Sequence, residues 1–409
     1  MIKRLLTIRS ALDLAFFFWL WYAGCPLQKA SEVRHPFRHH HLLTLLAQFD
    51  EQTGPLDGFL RLYFRQHKAI GAKDRKEITE TAYALIRWRG LLDHLGRSLS
   101  GLPWEQRLSA FLQNPPESYL DQESIPLHIR CSFPQPLFDR FAASHGLEET
   151  RRLCLVSNEK APFTIRANAL KCTRDQLLEK FAGRYPVEPC QLSPTGIRFL
   201  QRVDLLASDE YRDGLFEIQD EASQCVSRLI ASKPGQHVMD YCAGAGGKAL
   251  AIAPLMENRG QLFLHDVRSH ILVEARKRLR RAGIQNAQFL DAEEPHLKKL
   301  KKRMDWVIAD VPCSGTGTLR RNPDLKWKLT EETLNSLVGQ QRNIFEKALS
   351  FLRPDGRIVY TTCSLLHEEN EEQVAHFQKV YNLKVDGESF SSLPRSGEMD
   401  GFFGVVLHW

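Results

Sequence analysis

Val238-Met239-Asp240-Tyr241-Cys242-Ala243-Gly244-Ala245-Gly246-Gly247-Lys248 runs from a short apolar segment into a glycine turn and on into a helical pattern. Three glycines let the backbone pass close to a ligand, and the first turn of the next helix offers free N–H groups. A phosphate-binding P-loop is the rival reading, and it fails on spacing. Cys242 stands where its first glycine belongs, and Ala249 where Ser or Thr would hold magnesium. The turn alone leaves the ligand open.

Outward from this turn the same alternation continues. Apolar runs at Leu262-Phe263-Leu264, Phe289-Leu290, Trp306-Val307-Ile308-Ala309 and Ile358-Val359-Tyr360 are separated by helical segments. Strand and helix in regular alternation predict an α/β fold with a doubly wound parallel sheet from residue 216 onward. Ligands of such sheets bind at the carboxyl ends of the strands. The second run ends in His265-Asp266, an acid about 20 residues past the glycines, where these folds hold a ribose. The third ends at Asp291, a candidate partner for an adenine amino group. An adenosine-containing cofactor fits both acids.

The fourth run ends in Asp310-Val311-Pro312-Cys313-Ser314-Gly315-Thr316-Gly317, and the fifth in Thr361-Thr362-Cys363-Ser364. Cysteine is usually a buried structural residue. Both of these follow a strand, and neighbouring strands lie about 5 Å apart, so the two thiols can face one pocket. The C5 of cytosine gives such a pair work to do. A thiolate added at C6 makes C5 enamine-like and able to take a methyl group from a sulfonium. The C5 proton then leaves and the thiolate is expelled. One thiol serves as nucleophile and the other as base or release group. Asp310 can hold the base edge. The nucleophile must ionise, which requires a lowered pKa or an assisting base.

These motifs resemble the RNA 5-methylcytosine methyltransferases, of the bacterial ribosomal RNA small-subunit methyltransferase B (Fmu/Sun) type. The likeness spans residues 36–409. It also rests on Arg320-Arg321-Asn322-Pro323-Asp324, Gln219-Asp220-Glu221-Ala222-Ser223 and Gly401-Phe402-Phe403. The resemblance implies a Rossmann-like domain with S-adenosylmethionine as cofactor. It implies Cys363 as nucleophile and Cys313 as the residue of product release. It places the methionine part of the cofactor on Cys242, Ala243, Gly244, Ala245, Gly246, Gly247 and Lys248, the ribose on Asp266 and the adenine side on Asp291. Asp310 would sit by the methyl group and the base. Ala245 stands where many members carry Pro. Lys73-Asp74-Arg75 and Tyr83-Ala84-Leu85-Ile86-Arg87 resemble an RNA-binding fold of the antitermination-factor-B type.

The rest of the chain is consistent with this reading. Its 409 residues suit several domains, and 43% hydrophobic with 25% charged residues is ordinary globular composition. The expected organisation is an apolar extension at 1–30, a helical RNA-binding domain at 31–125, linker helices with a small RNA-recognition-like α+β subdomain at 126–215, and the methyltransferase domain at 216–409. Stripes such as Leu42, Leu43, Leu45, Leu46, Phe49 and Phe59, Leu60, Leu62, Tyr63, Phe64 predict the helices. Phe163-Thr164-Ile165-Arg166 and Gly196 to Leu200 read as strands, with a helix capped by Thr173 between them.

Nine cysteines without a Cys-x-x-Cys pair read as reduced thiols. No metal site is expected, since adjacent His39-His40-His41 point in different directions on any regular element. Lys3, Arg4 and Arg9 before the run Leu14 to Gly24 look like a signal peptide. That run is short of the roughly 20 residues of a membrane span, so an extension or a misplaced start is the preferred reading. The expectation is a cytoplasmic monomer without stable membrane association.

A net charge of +6 fits a nucleic-acid partner without proving one, and the resemblance, with its helical domain, implies small-subunit ribosomal RNA. Arg320 and Arg321, beside the catalytic loop, are the expected RNA contacts. The basic runs Arg276 to Arg281 and Lys298 to Arg303 serve equally as phosphate contacts or solvated helix faces. Transfer RNA or DNA as substrate, and a non-catalytic ribosome assembly factor, are the alternatives. Intact Cys363, Cys313 and Asp310 argue against the last.

Overall fold

The computed structural model describes residues 36–50, 54–97, 101, 103–290 and 295–409. The apolar segment 1–30 and Asp291 lie outside the described residues. The described residues open with helices Phe37–Asp50, Leu56–Gln66 and Ala72–Leu95, joined by Trp104–Gln113. Leu42, Leu45, Leu46, Leu60, Tyr63, Ile78, Ala82 and Leu85 form their shared core. Leu62 is the exception to the expected stripe, with 44% of its surface exposed. At 100° per residue it points away from the Leu56, Leu60, Tyr63 face. The Pro-containing stretch that follows forms short helices, ending in Gln135–His145 and Leu147–Ser157.

A small antiparallel sheet comes next. Strands β1 (Phe163–Ala167), β2 (Val187–Pro189), β3 (Gly196–Phe199) and β4 (Phe216–Ile218) lie in the order β2-β3-β1-β4. Helix Arg174–Ala182 covers it through Leu177 and Phe181. Thr173 starts that helix with a capping box: its hydroxyl accepts from Gln176 N, and the Gln176 side chain accepts from Thr173 N. β4 lies at the edge of this sheet, although its sequence falls just inside the region assigned to the larger one.

The large sheet contains β5 (His237–Asp240), β6 (Gln261–His265), β7 (Ala287–Leu290), β8 (Met304–Asp310), β9 (Leu352–Thr362), β10 (Lys384–Val385), β11 (Phe390–Ser392) and β12 (Phe402–His408). The order is β7-β6-β5-β8-β9-β12-β10, with β11 on β12. β5 to β9 are parallel, and β12 runs antiparallel to β9. Both faces are buried, as a parallel sheet requires. Met239, Val307, Ala309 and Ile358 pack with Phe345 and Phe377 on one face. Val238, Leu262, Ile308 and Val359 pack with Leu250, Leu272 and Leu279 on the other. The chain moves outward from β5 to β7 and then crosses back to β8. The order therefore reverses between β5 and β8, which opens a crevice at their carboxyl ends. Among the described residues, no helix is long and apolar enough to cross a membrane.

Candidate active site

The thiols meet because β8 and β9 are adjacent and in register, Asp310 opposite Thr361. Cys363 follows directly on β9. The chain after β8 turns so that Cys313 Sγ lies 3.4 Å from Cys363 Sγ, and the two are not bonded as a disulfide. The Gly317 N–H donates to the Cys363 carbonyl at 2.9 Å, fastening one loop to the other. The Cys313 thiol is pushed well above its ordinary pKa, first by its hydrogen bond to Cys363, then by burial and by the charges of Cys363 and Glu369. Cys313 therefore keeps its proton and can donate it towards the Cys363 sulfur.

Glu369 was not legible as part of this site. It sits in the acid run His367-Glu368-Glu369-Asn370-Glu371, which reads as a solvated helix start. Its side chain is instead fully buried under the loop that carries Cys313. It accepts from Ser314 N at 2.8 Å, from the Ser314 hydroxyl, and from Gln341 Nε2 at 2.8 Å. The same Gln341 nitrogen donates to the Pro312 carbonyl at 3.0 Å. On the Cys363 side, Asn370 Nδ2 donates to Ser364 O at 3.0 Å, and Thr362 Oγ1 donates to Asn370 Oδ1 at 2.6 Å. The residues from Thr362 to Asn370 thus hold both cysteine loops from beneath.

Next to the thiols, the glycine turn closes the crevice. Gly244 has φ +51°, and open space lies where a Cβ would stand. Its N–H donates to Asp266 Oδ2 at 2.9 Å. Burial would raise the Asp266 pKa, but hydrogen bonds from Arg268 and from Gly244 N hold it below the usual value. Lys248 Nζ forms a 2.5 Å ion pair with Asp310 Oδ2, and Asp310 keeps 33% of its side chain exposed. Burial and the charge of Asp310 push the Asp240 carboxyl up to about 7. Burial and the acids Asp240, Asp310 and Asp266 likewise push the Cys242 thiol up. A crevice in which acids repel one another, beside an open glycine turn, fits a cationic sulfonium cofactor. Gln219 braces the turn from outside by donating to Gly247 O at 3.3 Å.

Residues 227–407 match the family model "16S rRNA methyltransferase RsmB/F", and residues 133–206 match its ferredoxin-like domain. A probable ribosomal RNA small subunit methyltransferase B from Synechocystis is 31% identical over 307 residues, 70% of this chain and 69% of the relative. The chain belongs to the RsmB/F family. The solved structure of PH0851 covers 93% of this chain and all of its own, with TM-score 0.76 and 24% identity, and shows the shared fold. NSun6 from Pyrococcus horikoshii with SFG has TM-score 0.60 at 19% identity, over 68% of this chain and 98% of its own. As a member of the RsmB/F family, the chain is an S-adenosylmethionine-dependent RNA methyltransferase.

Within this RsmB/F enzyme the two arginines after the Cys313 loop are not placed as the RNA contacts their position suggested. Arg320 is 1% exposed and cannot reach RNA from where it stands. It pairs with Asp400 and donates to Arg395 O at 3.1 Å and to Glu398 O. Arg321 keeps 35% of its side chain exposed, but its Nε pairs with Asp400 and its Nη2 with Asp220 Oδ2 at 2.9 Å. Burial and the neighbouring Asp400 charge push Asp220 up to about 6. Two acids distant in sequence thus claim these cations as internal ties. Arg278 and Arg281 of the basic helix are similarly engaged with the buried Glu217. Arg276 lies over the Phe289 ring at 4.7 Å.

Proposed function

We propose that the enzyme methylates C5 of a cytosine in 16S ribosomal RNA, in the cytoplasm, through a covalent bond between Cys363 and C6 that Cys313 helps to release. The observation that carries this is the pair of sulfurs at 3.4 Å with the proton held on Cys313. An oxygen or exocyclic nitrogen acceptor needs no second thiol, whereas a C5 acceptor needs one group to add at C6 and another to manage protons.

S-adenosylmethionine supplies the electrophilic methyl group when bound. Gly244, Asp266 and Asp310 are the residues suited to hold it. The Cys363 thiolate adds to C6, and the electron pair of the C5–C6 bond becomes available at C5. The free edge of Asp310 faces the crevice beside Lys248 and is available to a base edge and its N3 charge. After methylation solvent water takes the C5 proton, the C5–H electron pair restores the C5–C6 double bond, the C6–sulfur bond breaks, and Cys363 leaves as a thiolate beside the Cys313 S–H. The target base must be unpaired or flipped to reach sulfurs set in loops.

The test is transfer from labelled S-adenosylmethionine to unmodified small-subunit ribosomal RNA, with the product identified as a nucleoside and each protein run on a denaturing gel. Cys363→Ala should lose both product and adduct. Cys313→Ala should stop turnover and leave RNA attached through Cys363. Label recovered in any nucleoside other than 5-methylcytosine, or activity retained in Cys363→Ala, would overturn the proposal.

A further inference from the structure

A cavity of about 280 Å³ lies on the face of helix Ala72–Leu95 and has no part in the thiol site. Arg87, Trp88, Phe111, Glu117, Asn158 and Lys160 are among the residues that line it. The volume is close to the roughly 300 Å³ at which small-molecule pockets begin. Trp88 and Phe111 are half-buried, so their rings are only partly covered by the protein.

The pocket floor carries uncompensated positive charge. Arg87 is 8% exposed. Its Nη2 donates to Arg320 O at 2.9 Å, and its buried Nε has no hydrogen-bond partner. Beside it, Lys326 is 1% exposed and donates to Arg87 O at 2.8 Å and Asn158 Oδ1 at 2.7 Å, and burial pushes its pKa well below the ordinary lysine value, which leaves Arg87 as the buried charge. Among the described residues, Arg87 has no carboxylate within ion-pair distance, and its guanidinium lies over the Tyr83 ring at 5.4 Å. A buried guanidinium without a counter-charge is costly, so an anion placed beside Arg87 would be favoured. Lys160 adds an exposed ammonium at the rim, 3.6 Å from Glu80. Glu117 is the acid in the lining and is exposed.

We infer that this pocket seats one nucleotide of the substrate RNA away from the target cytosine, its phosphodiester towards Arg87 and Lys160 and its base against Trp88 and Phe111. Cationic depth with partly bare aromatic rings is the chemistry by which single-stranded nucleic acid is held. The single charge of a phosphodiester suits a rim that also carries Glu117. The inference rests on RNA being the substrate. The pocket is also tied mechanically to the catalytic loop. Arg87 holds the main chain of Arg320, Lys326 holds the main chain of Arg87, and Trp327 Nε1 donates to Ile86 O at 2.7 Å. A nucleotide seated here therefore meets the helical domain and the segment following Cys313 at a fixed junction.

The test uses the full chain and a fragment of unmodified small-subunit ribosomal RNA. Lys160→Glu alters an exposed residue and should raise KM about tenfold with kcat nearly unchanged. It should also lower the salt slope of binding by about 0.7, the value for one phosphate on a single strand. Lys379→Glu, on the exposed side of the distant helix Glu371–Tyr381, should do neither. RNA carrying 4-thiouridine should crosslink in the wild type to peptides containing residues 84–88 or 111–117. Lys160→Glu behaving like Lys379→Glu, with crosslinks confined to other segments, would overturn the pocket while wild-type transfer to RNA stands. Absence of transfer to any RNA by the wild type would instead remove the reading on which it rests.

Discussion

Removing the Glu369 carboxylate is the sharpest perturbation available beneath the two sulfurs of Cys313 and Cys363. Its oxygens receive the N–H and O–H of Ser314 and one N–H of Gln341, all in a region closed to water. In Glu369→Ala the Ser314 hydroxyl can turn to Ser364 Oγ, 3.1 Å away. The Ser314 and Gln341 N–H groups lose an acceptor each, though Gln341 keeps its weaker tie to Pro312 O. Each buried orphan costs about 1–3 kcal/mol, so the loss should total about 3 kcal/mol. At roughly 2–4 °C per kcal/mol for a domain of this size, the melting temperature should fall by roughly 10 °C. The loop bearing Cys313 would also shift, and about 1 Å of misplacement costs on the order of a hundredfold in rate. Glu369→Gln retains one acceptor and should lose only about 1 kcal/mol. Scanning calorimetry and single-turnover methyl transfer on the three proteins measure both effects. A Glu369→Ala protein that melts within about 2 °C of wild type, and transfers methyl at an unchanged rate, would refute the claim that this buried acid sets the sulfurs' geometry.

Gly317→Ala should be among the most damaging small changes. A Cβ there would stand 2.1 Å from Gly401 O and 2.9 Å from Cys363 O, so the loop must move; turnover should collapse, with about 2–4 kcal/mol of stability lost in urea titration. Arg320→Met should cost about 3–5 kcal/mol by leaving Asp400 short of a partner, while RNA affinity of the folded protein measured by filter binding stays the same. Weaker RNA binding with an unchanged melting temperature would restore Arg320 as an RNA contact. Asp240, pushed up to about 7, retains in the folded state a proton that the unfolded chain sheds near pH 4. Stability should therefore fall as pH rises from about 4 to 7, at most about 1.4 kcal/mol per unit. Asp240→Asn should flatten that dependence in denaturation curves at pH 5 and pH 8, and an unaltered slope would count against the burial argument.

The parallel sheet was legible because strands buried on both faces leave continuous apolar runs, and Val307-Ile308-Ala309 could hardly be anything else. The thiols were legible because their position follows from where those runs stop. Ion pairing was not. Arg320 and Arg321 look like phosphate contacts beside a catalytic loop until Asp400 and Asp220 appear, 80 and 101 positions away. Nothing local separates a guanidinium awaiting RNA from one already held by a distant acid. Glu369 was hidden for the converse reason, since an acid-rich helix start normally faces water. Leu62 shows the limit of reading a helical stripe by composition, because adjacent apolar residues on a helix cannot all face inward.

The tie between Arg320 and Asp400 also governs when the enzyme can come into being. A chain is made from its amino end at roughly 5–20 residues per second, so Asp400 is joined about 4–16 s after Arg320. Through that interval the catalytic loop lacks its buried counter-charge, and β9 lacks its antiparallel neighbour β12. The two sulfurs are therefore made long before they are set. Setting of the sulfurs waits on residue 400, and a nascent chain stalled between residues 363 and 400 would carry both cysteines without the tie that fixes their loops.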